Sequence, residues 1–586
     1  MQVLVRYCII LLLVCVTAAA SGQYYLRGEV KTEQNTALQN ARIFLHTAKA
    51  NYYSGADGSF GIIMRQQEDT VTITLDGYEP QTLHVKAGIW QRITLKSIIT
   101  KATKNKNKLI SITMDKKQTH TAKWSVSDET YFQLVENEFV ETAVYPNTGY
   151  SLNVNKASYS NVRRFINGSS EVPPDAVKIE EMVNYFNLMY TEPERGKTFA
   201  VTSTTSDCPW NTQDRLLFVN VCARKLSLDS IPPANFVFLI DVSGSMDDEK
   251  RLPLVQAAFQ LFVKNIRPID TVSIVTYGGG VRVWLQPTSG SEKSVISNAI
   301  EELLPNGDTP GEAALQTAYT LAQKTFIKGG NNRIILATDG DFNVGETGEK
   351  ELEELVARYK NLGIYLTCLG VGTGNLKDSK LQVLAKKGNG NYAYLDDLNE
   401  AEKTLVQELT QTMYAVADNA LLNVEFNPKV VGQYRLIGFD NRRTAMNEAD
   451  YLLEGGEVGS GSSVLAIFQY TPQGTQNSTD ELARLQIRYA VGKDTSAYRV
   501  SHTVNQSYIP FDTLEQPLQF ATAVTAFGLK LKNSSYAKIN WDQIMELSMY
   551  ANKSQFLQNE FATLVEKAMY IYEPKRKKKA GKKKKP

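Results

Sequence analysis

Residues 236–245 read Phe-Val-Phe-Leu-Ile-Asp-Val-Ser-Gly-Ser, and this stretch decides the fold class of the centre of the 586-residue chain. The first five residues are all apolar, which predicts a buried strand that ends abruptly at the Asp. The segment 252–266 that follows places its apolar residues on one face of a helix. A fully apolar strand followed by an amphipathic helix is typical of a parallel sheet covered by helices on both faces. We therefore predict an α/β domain here.

The same alternation continues from residue 233 to residue 417. Predicted strands are 236–240, 272–277, 281–285, 333–338, 364–371 and 392–395. Predicted helices lie near 252–266, 293–304, 311–327, 349–361, 376–387 and 398–415. Only Gly278–Gly280 separate the second and third strands, which is too short for a helical crossover, so strand 281–285 must run antiparallel at the sheet edge. The expected domain is a doubly wound, Rossmann-like sheet.

Oxygen-bearing side chains collect where the first and fourth of these strands end. Asp241, Ser243 and Ser245 follow the first strand directly, at the edge where open α/β sheets bind ligands. Asp339 ends strand 333–338 in the same manner, and Thr309 lies in a loop just before a helix. The three loops thus supply two carboxylates and three hydroxyls.

Such a set suits a divalent cation. Mg²⁺ takes near-octahedral oxygen coordination and keeps several waters. Neutral hydroxyls would bind it without quenching its charge, while the two carboxylates would act largely through bound waters. One open position on the metal would then accept a carboxylate from another protein.

This pattern resembles the von Willebrand factor type A (VWA) domain and its metal-ion-dependent adhesion site (MIDAS). The resemblance rests on Asp-x-Ser-x-Ser at 241–245, Thr309 and Asp339, in the right order on the right elements. It implies a sheet of order 3-2-1-4-5-6 with strand 3 antiparallel, a bound Mg²⁺ (or Mn²⁺ or Ca²⁺), and a protein ligand held through an acidic residue. Asp308 departs from the family, in which we expect a small neutral residue before the Thr.

The segments on either side, 123–232 and 418–572, resemble those that accompany this domain in one bacterial subfamily. The likeness lies in 150–165, 177–186 and 520–528 of these segments, and it extends to 338–345 and 388–394 within the α/β domain. We predict helix from 131 to 190 and again from 520 to 570. The β-rich segments 199–225 and 418–508 are expected to meet in one β-sandwich, with the α/β domain inserted between its strands.

Residues 23–98 alternate short β-branched runs with turns, which predicts an all-β sandwich. Both 56–60 and 76–78 are read as turns of the hairpin type. The segment resembles the carboxypeptidase-regulatory-like domain through 26–30, 38–43, 57–60 and 77–80, and this implies a spacer or adhesion module. The Lys-rich stretch 99–122 is a predicted linker.

Both ends of the chain carry signals of their own. Residues 1–22 combine one Arg, an apolar run and small residues, as a signal peptide does. Lipid attachment at Cys15 and an uncleaved anchor are the weaker alternatives, and no stable membrane span is expected after cleavage. We therefore expect export to the periplasm or the cell surface. Nine Lys and Arg lie in the tail 573–586, and the net charge of +2 falls to −7 without them. That balance argues against nucleic-acid binding; the tail is either solvated or in contact with an anionic surface.

Other features of the sequence allow or exclude further kinds of site. Four histidines far apart in sequence exclude the usual zinc clusters and argue against a Ser-His-Asp hydrolase. An acidic group made of Asp247, Asp248 and Asp341 forms either a solvated rim or a calcium-type site. The glycine-rich segment Gly370–Gly374 lacks the Gly-Lys-Ser/Thr ending of a phosphate-binding loop. Cys208 and Cys222 either pair or remain separate buried thiols.

The sequence thus predicts an exported, non-enzymatic adhesion or envelope-assembly protein that captures an acidic side chain through its metal. The alternatives are a metal-dependent hydrolase, which lacks an evident general acid, and a structural envelope protein with a vestigial metal site.

Overall fold

A computed structural model describes most of the chain. The described residues are 24–32, 35–64, 66–75, 78–96, 129–132, 134–227, 231–307, 311–340, 349–374, 376–442, 455–474, 481–491 and 494–573. The predicted signal peptide, the whole of the predicted linker and the basic tail beyond residue 573 lie outside them. The chain divides into two compact units, of which described residues 24–96 belong to the first and those from 129 to 573, apart from Arg442, to the second.

The first unit is built from strands. These are β1 (Tyr24–Thr32), β2 (Arg42–Leu45), β3 (Ala50–Tyr53), β4 (Ser59–Met64), β5 (Glu68–Thr74), β6 (Gln81–Lys86) and β7 (Trp90–Leu95). They form two sheets, β4-β1-β7 and β3-β2-β5-β6, around one apolar core.

Of the two turns predicted in this unit, residues 76 and 77 of the second lie outside the described residues. The first, at 56–60, is a turn but does not close a hairpin, because β3 and β4 belong to different sheets. Asp57 accepts a hydrogen bond from the backbone N–H of Ser59 at 3.1 Å, and such a local turn reverses the chain whether or not its flanking strands pair.

The second unit begins with a mixed segment. Its elements are β8 (Leu134–Val135), β9 (Val140–Glu141), β10 (Asn147–Ser151), α1 (Ala157–Asn167), α2 (Ile179–Asn184), β11 (Phe199–Asp207) and β12 (Arg215–Ala223). The helix predicted from residue 131 is therefore wrong as far as residue 151. Val140 pairs with Tyr434, and Asn147 with Glu425, so these short strands depend on partners far along the chain that local periodicity does not reveal.

The α/β domain follows. It contains β13 (Ala234–Asp241), α3 (Leu252–Asn265), β14 (Thr271–Tyr277), β15 (Val281–Ser289), α4 (Lys293–Glu301), α5 (Gly311–Lys324), β16 (Asn331–Thr338), α6 (Glu349–Asn361), β17 (Ile364–Val371), α7 (Asp378–Lys387), β18 (Tyr392–Leu395), α8 (Leu398–Glu402) and α9 (Leu409–Met413). The sheet order β15-β14-β13-β16-β17-β18, with β15 antiparallel to β14, confirms the predicted topology. The helix predicted at 398–415 is interrupted by a π-helical turn at Lys403–Gln407.

The final segment is β-rich and then helical. It comprises β19 (Ala415–Phe426), β20 (Val431–Ile437), β21 (Asn441–Arg442), β22 (Gly456–Gly459), β23 (Ser463–Pro472), β24 (Glu481–Val491), β25 (Asp494–Asn505), α10 (Gln516–Leu531), α11 (Trp541–Ser548) and α12 (Phe556–Tyr572). β12 pairs with β23 in the sheet β11-β12-β23-β20-β9, and the sheet β10-β19-β24-β25 shares its apolar core. This confirms that the two β-rich segments meet around the inserted domain.

The ends of the inserted domain lie side by side. Asn331 donates its backbone N–H to the carbonyl oxygen of Pro233 at 3.0 Å and its side-chain amide to that of Met413 at 2.8 Å. Asn331 therefore holds together the points where the chain enters and leaves the domain. These points lie at the amino-terminal ends of β13 and β16, opposite the candidate site.

Two further observations concern the described residues alone. Cys208, Cys222 and Cys368 are buried free thiols, so Cys208 and Cys222 do not pair. Among these residues, no helix has both the length and the apolar character needed to cross a membrane.

Candidate functional site

Asp241 lies at the carboxyl end of β13, next to the end of β16. Its side chain is fully buried. One carboxylate oxygen, Oδ1, accepts the backbone N–H of Ser243 at 2.9 Å, and Oδ2 accepts the hydroxyl of Thr338 at 2.8 Å. Because β13 and β16 are parallel neighbours, Asp241 links its own loop to the residue that precedes Asp339. The two strand ends meet as the topology predicted.

The loop after Asp241 brings two hydroxyls together. Ser243 Oγ and Ser245 Oγ are 3.1 Å apart, and Ser243 is buried whereas Ser245 is partly exposed. Neighbouring ligands of an octahedral Mg²⁺ at 2.0–2.1 Å are about 2.9 Å apart, so this spacing fits one edge of such an octahedron. It also suits a hydrogen bond between the two hydroxyls.

Backbone contacts fix the path of this loop. Val242 donates its N–H to Tyr277 O at 2.8 Å, and Gly244 donates to Gly307 O at 2.9 Å. Gly307 has φ +68°, and a Cβ at this position would lie 2.3 Å from the Cα of Gly279. Only glycine fits this approach of the two loops. Gly307, the last described residue before the predicted ligand Thr309, is thereby held beside the hydroxyl loop.

Asp339 is buried and forms an ion pair that sequence reasoning missed. The Arg251 guanidinium nitrogen Nη1 lies 3.1 Å from Asp339 Oδ2. Arg251 also donates hydrogen bonds to the carbonyl oxygens of Ser245 and, at 2.9 Å, Thr373. In the sequence, Arg251 ends the charged run 247–251, so it looks like one more exposed residue. In the structure it is partly buried, whereas residues 247–250 are exposed.

Burial dominates the electrostatics of the site. It raises the pKa of Asp241 to about 6, and the negative charge of Asp339 adds to the rise, whereas hydrogen bonds from Ser243 oppose it. Burial likewise raises the pKa of the adjoining Tyr277 well above its ordinary value, with the charge of Asp241 contributing. Two carboxylates in so dry a place favour a nearby cation.

The structure thus brings Asp241, Ser243 and Ser245 into one hydrogen-bonded loop, with Asp339 beside it. Thr309, Asp308 and Asp341 lie outside the described residues. Asp247 and Asp248 are exposed, as a solvated rim requires. Within the described part of the chain, no three His, Cys, Asp or Glu side chains are grouped to hold a metal, so a cation here would depend on hydroxyl ligands.

Three family descriptions match the chain. "Von Willebrand factor" matches residues 125–218, "von Willebrand factor type A domain" matches 236–341, and "Uncharacterized protein YfbK, C-terminal" matches 411–571. None of the three describes an enzyme. The second covers β13 through the end of β16 and therefore includes the whole candidate site.

Individual proteins also match the chain. The chain is 37% identical over 484 residues to "Uncharacterized protein YfbK" of Escherichia coli, covering 77% of this chain and 83% of that protein. It is also 31% identical over 209 residues to inter-alpha-trypsin inhibitor heavy chain H2 of Mus musculus. This match covers 34% of this chain and only 21% of that protein. Among solved structures, a von Willebrand factor type A protein from Catenulispora acidiphila is 16% identical, with a TM-score of 0.39 over 62% of this chain and 88% of its own.

Proposed function

Because the chain belongs to the YfbK family of VWA-domain proteins, we propose that its α/β domain binds a divalent cation and uses it to capture an acidic side chain of a partner protein. The observation that carries the proposal is the pair of hydroxyls of Ser243 and Ser245, 3.1 Å apart beside two buried carboxylates. A MIDAS site would use these residues, with Thr309 as a further ligand.

The residues present fit Mg²⁺ or Mn²⁺ by their chemistry. Both oxygens of Asp241 already accept hydrogen bonds, so this carboxylate would orient the site from behind. The Ser245 hydroxyl lies at the exposed side of the loop and would be the ligand nearest to a visiting carboxylate. The cation, when bound, would supply a Lewis-acidic position for that carboxylate.

The rest of the chain fits a role in presenting this domain. We propose that residues 1–22 direct export to the periplasm or cell surface, and that the first unit is a carboxypeptidase-regulatory-like spacer. Its strands β1 to β7 and single apolar core suit such a module. Adhesion or envelope assembly is the function that such an arrangement would serve.

The test is capture of envelope proteins by the purified full chain, with Mg²⁺ and with EDTA. We expect specific partners to bind with Mg²⁺, to be lost with EDTA and to be lost from Ser243→Ala. A matched control is Ser273→Ala, which removes an equally buried hydroxyl from β14, far down the strand from the site.

Capture that persists with EDTA or in Ser243→Ala would contradict the proposal and favour a structural protein with a vestigial site. Chemical turnover of a captured partner, lost in the same variant, would favour the hydrolase instead.

A further inference from the structure

Arg251 joins three loops at the carboxyl ends of β13, β16 and β17. Its guanidinium contacts Asp339 after β16, at 3.1 Å, and the carbonyl oxygens of Ser245 after β13 and Thr373 after β17. A planar group with five N–H donors is suited to such a three-way contact. Two of these contacts, those to Ser245 and Asp339, lie on loops that form the candidate cation site, and the third lies on the neighbouring loop after β17.

The fold makes room for this side chain. A Cβ on Gly372, where φ is +75°, would lie 2.6 Å from Arg251 Nε and 2.8 Å from its Cγ. The Arg251 side chain is 17% exposed, and that of Asp339 is 1% exposed. The positive charge is therefore held against a carboxylate that has almost no access to water.

We propose that Arg251 is a tethered cation, which neutralises Asp339 when no divalent ion is bound and is displaced when one binds. The inference rests on the proposed function, because it assumes that the site takes a divalent cation. A guanidinium within 3.1 Å of Asp339 repels an incoming ion and competes for the same carboxylate. Arg251 thus lowers the affinity for the ion and keeps the empty site stable.

Displacement of Arg251 would also weaken contacts outside the candidate site. The loop that it contacts is also held by Tyr394, whose hydroxyl donates to Gly372 O at 2.7 Å, and by Glu129, which accepts the N–H of Gly374 at 2.7 Å. Glu129 is paired in turn with Arg164 of α1, at 2.8 Å. A divalent ion would therefore loosen one of the ties between the site and the segment that precedes the domain.

The test compares Mg²⁺ binding by the full chain, measured by isothermal titration calorimetry, with melting temperature in EDTA. We expect Arg251→Gln to bind Mg²⁺ about tenfold more tightly than the wild type, because a competing charge is removed. We expect the same variant to melt at a lower temperature in EDTA, because the buried Asp339 loses its ion pair with Arg251, and to regain stability with Mg²⁺.

A matched control is Arg267→Gln. Arg267 is 20% exposed and pairs with the buried Asp270 at 2.7 Å, at the opposite end of the sheet. This variant should lose stability without any change in Mg²⁺ affinity.

The outcomes separate the two hypotheses. Equal or weaker Mg²⁺ binding by Arg251→Gln, with the wild type binding normally, overturns the tethered cation and leaves the proposed function intact. Binding by Arg251→Gln alone supports the tethered cation in its strongest form. Absence of binding in every variant overturns the proposed function, and the tethered cation with it.

Discussion

Two buried charge clusters in the second unit have different compositions. In the first, Arg333 of β16 donates two hydrogen bonds of 2.9 Å to the two carboxylate oxygens of Glu457 in β22, and both side chains are at most 2% exposed. In the second, the carboxylates of Asp241 and Asp339 lie near each other, and the Arg251 guanidinium is 3.1 Å from Asp339. The first cluster is built on a bidentate ion pair, whereas in the second Arg251 pairs with Asp339 and the oxygens of Asp241 accept hydrogen bonds from Ser243 and Thr338.

This difference indicates a structural role for the first cluster and a binding role for the second. A matched, bidentate pair between β16 and β22 joins the α/β domain to the segment that follows it, and offers nothing to a ligand. A cluster with two carboxylates and two adjacent hydroxyls is suited to a further cation. Breaking the first should therefore change stability alone, whereas breaking the second should also change cation binding.

The largest effect on stability is expected from Arg333→Met. It leaves Glu457 buried without its partner, and such a loss costs about 3–5 kcal/mol of unfolding free energy. Urea unfolding of the second unit, followed by tryptophan fluorescence, measures it. The double variant with Glu457→Leu should recover most of the loss, since both charges are then absent. A single variant as stable as the wild type would remove the distinction between the two clusters.

A smaller, pH-dependent effect is expected at Glu180 of α2. Burial raises the pKa of this carboxyl group from 4.5 to about 7, with the charges of Asp440 and Glu181 contributing. The folded protein therefore binds a proton that the unfolded chain releases, so the contribution of Glu180 to stability is present below pH 4.5 and falls as the pH rises through about 7.

The variant Glu180→Gln should thus be about 1–2 kcal/mol more stable than the wild type at pH 8, with little gain at pH 4.5. Urea unfolding at both pH values measures this difference. The control is Glu302→Gln at an exposed carboxyl group, which should show no such pH dependence. An equal effect of Glu180→Gln at both pH values would contradict the assignment.

Much of the α/β domain could be predicted from the sequence because its signals are local. Strands β17 and β18 begin and end where the apolar runs do, and the three glycines at 278–280 forced the antiparallel edge. The positions of Asp241 and Asp339 followed from topology, since parallel strands present their carboxyl ends at one edge.

What escaped prediction depends on contacts between distant residues. The strands at 134–151 form only because partners such as Glu425 and Tyr434 lie beside them in the fold. Arg251 sits among exposed charges in the sequence, and only the folded loops bring it to Asp339 and Thr373. No local pattern marks a residue of this kind.

The central claim is tested most directly by counting bound Mn²⁺ on the full chain by electron paramagnetic resonance, with Ser243→Ala and Ser273→Ala as the matched pair. We expect about one tightly bound ion per chain in the wild type and in Ser273→Ala, and none in Ser243→Ala. Of the two substituted serines, Ser243 contributes a hydroxyl to the candidate site and Ser273 does not. Equal binding by Ser243→Ala, or none by the wild type, would contradict the account.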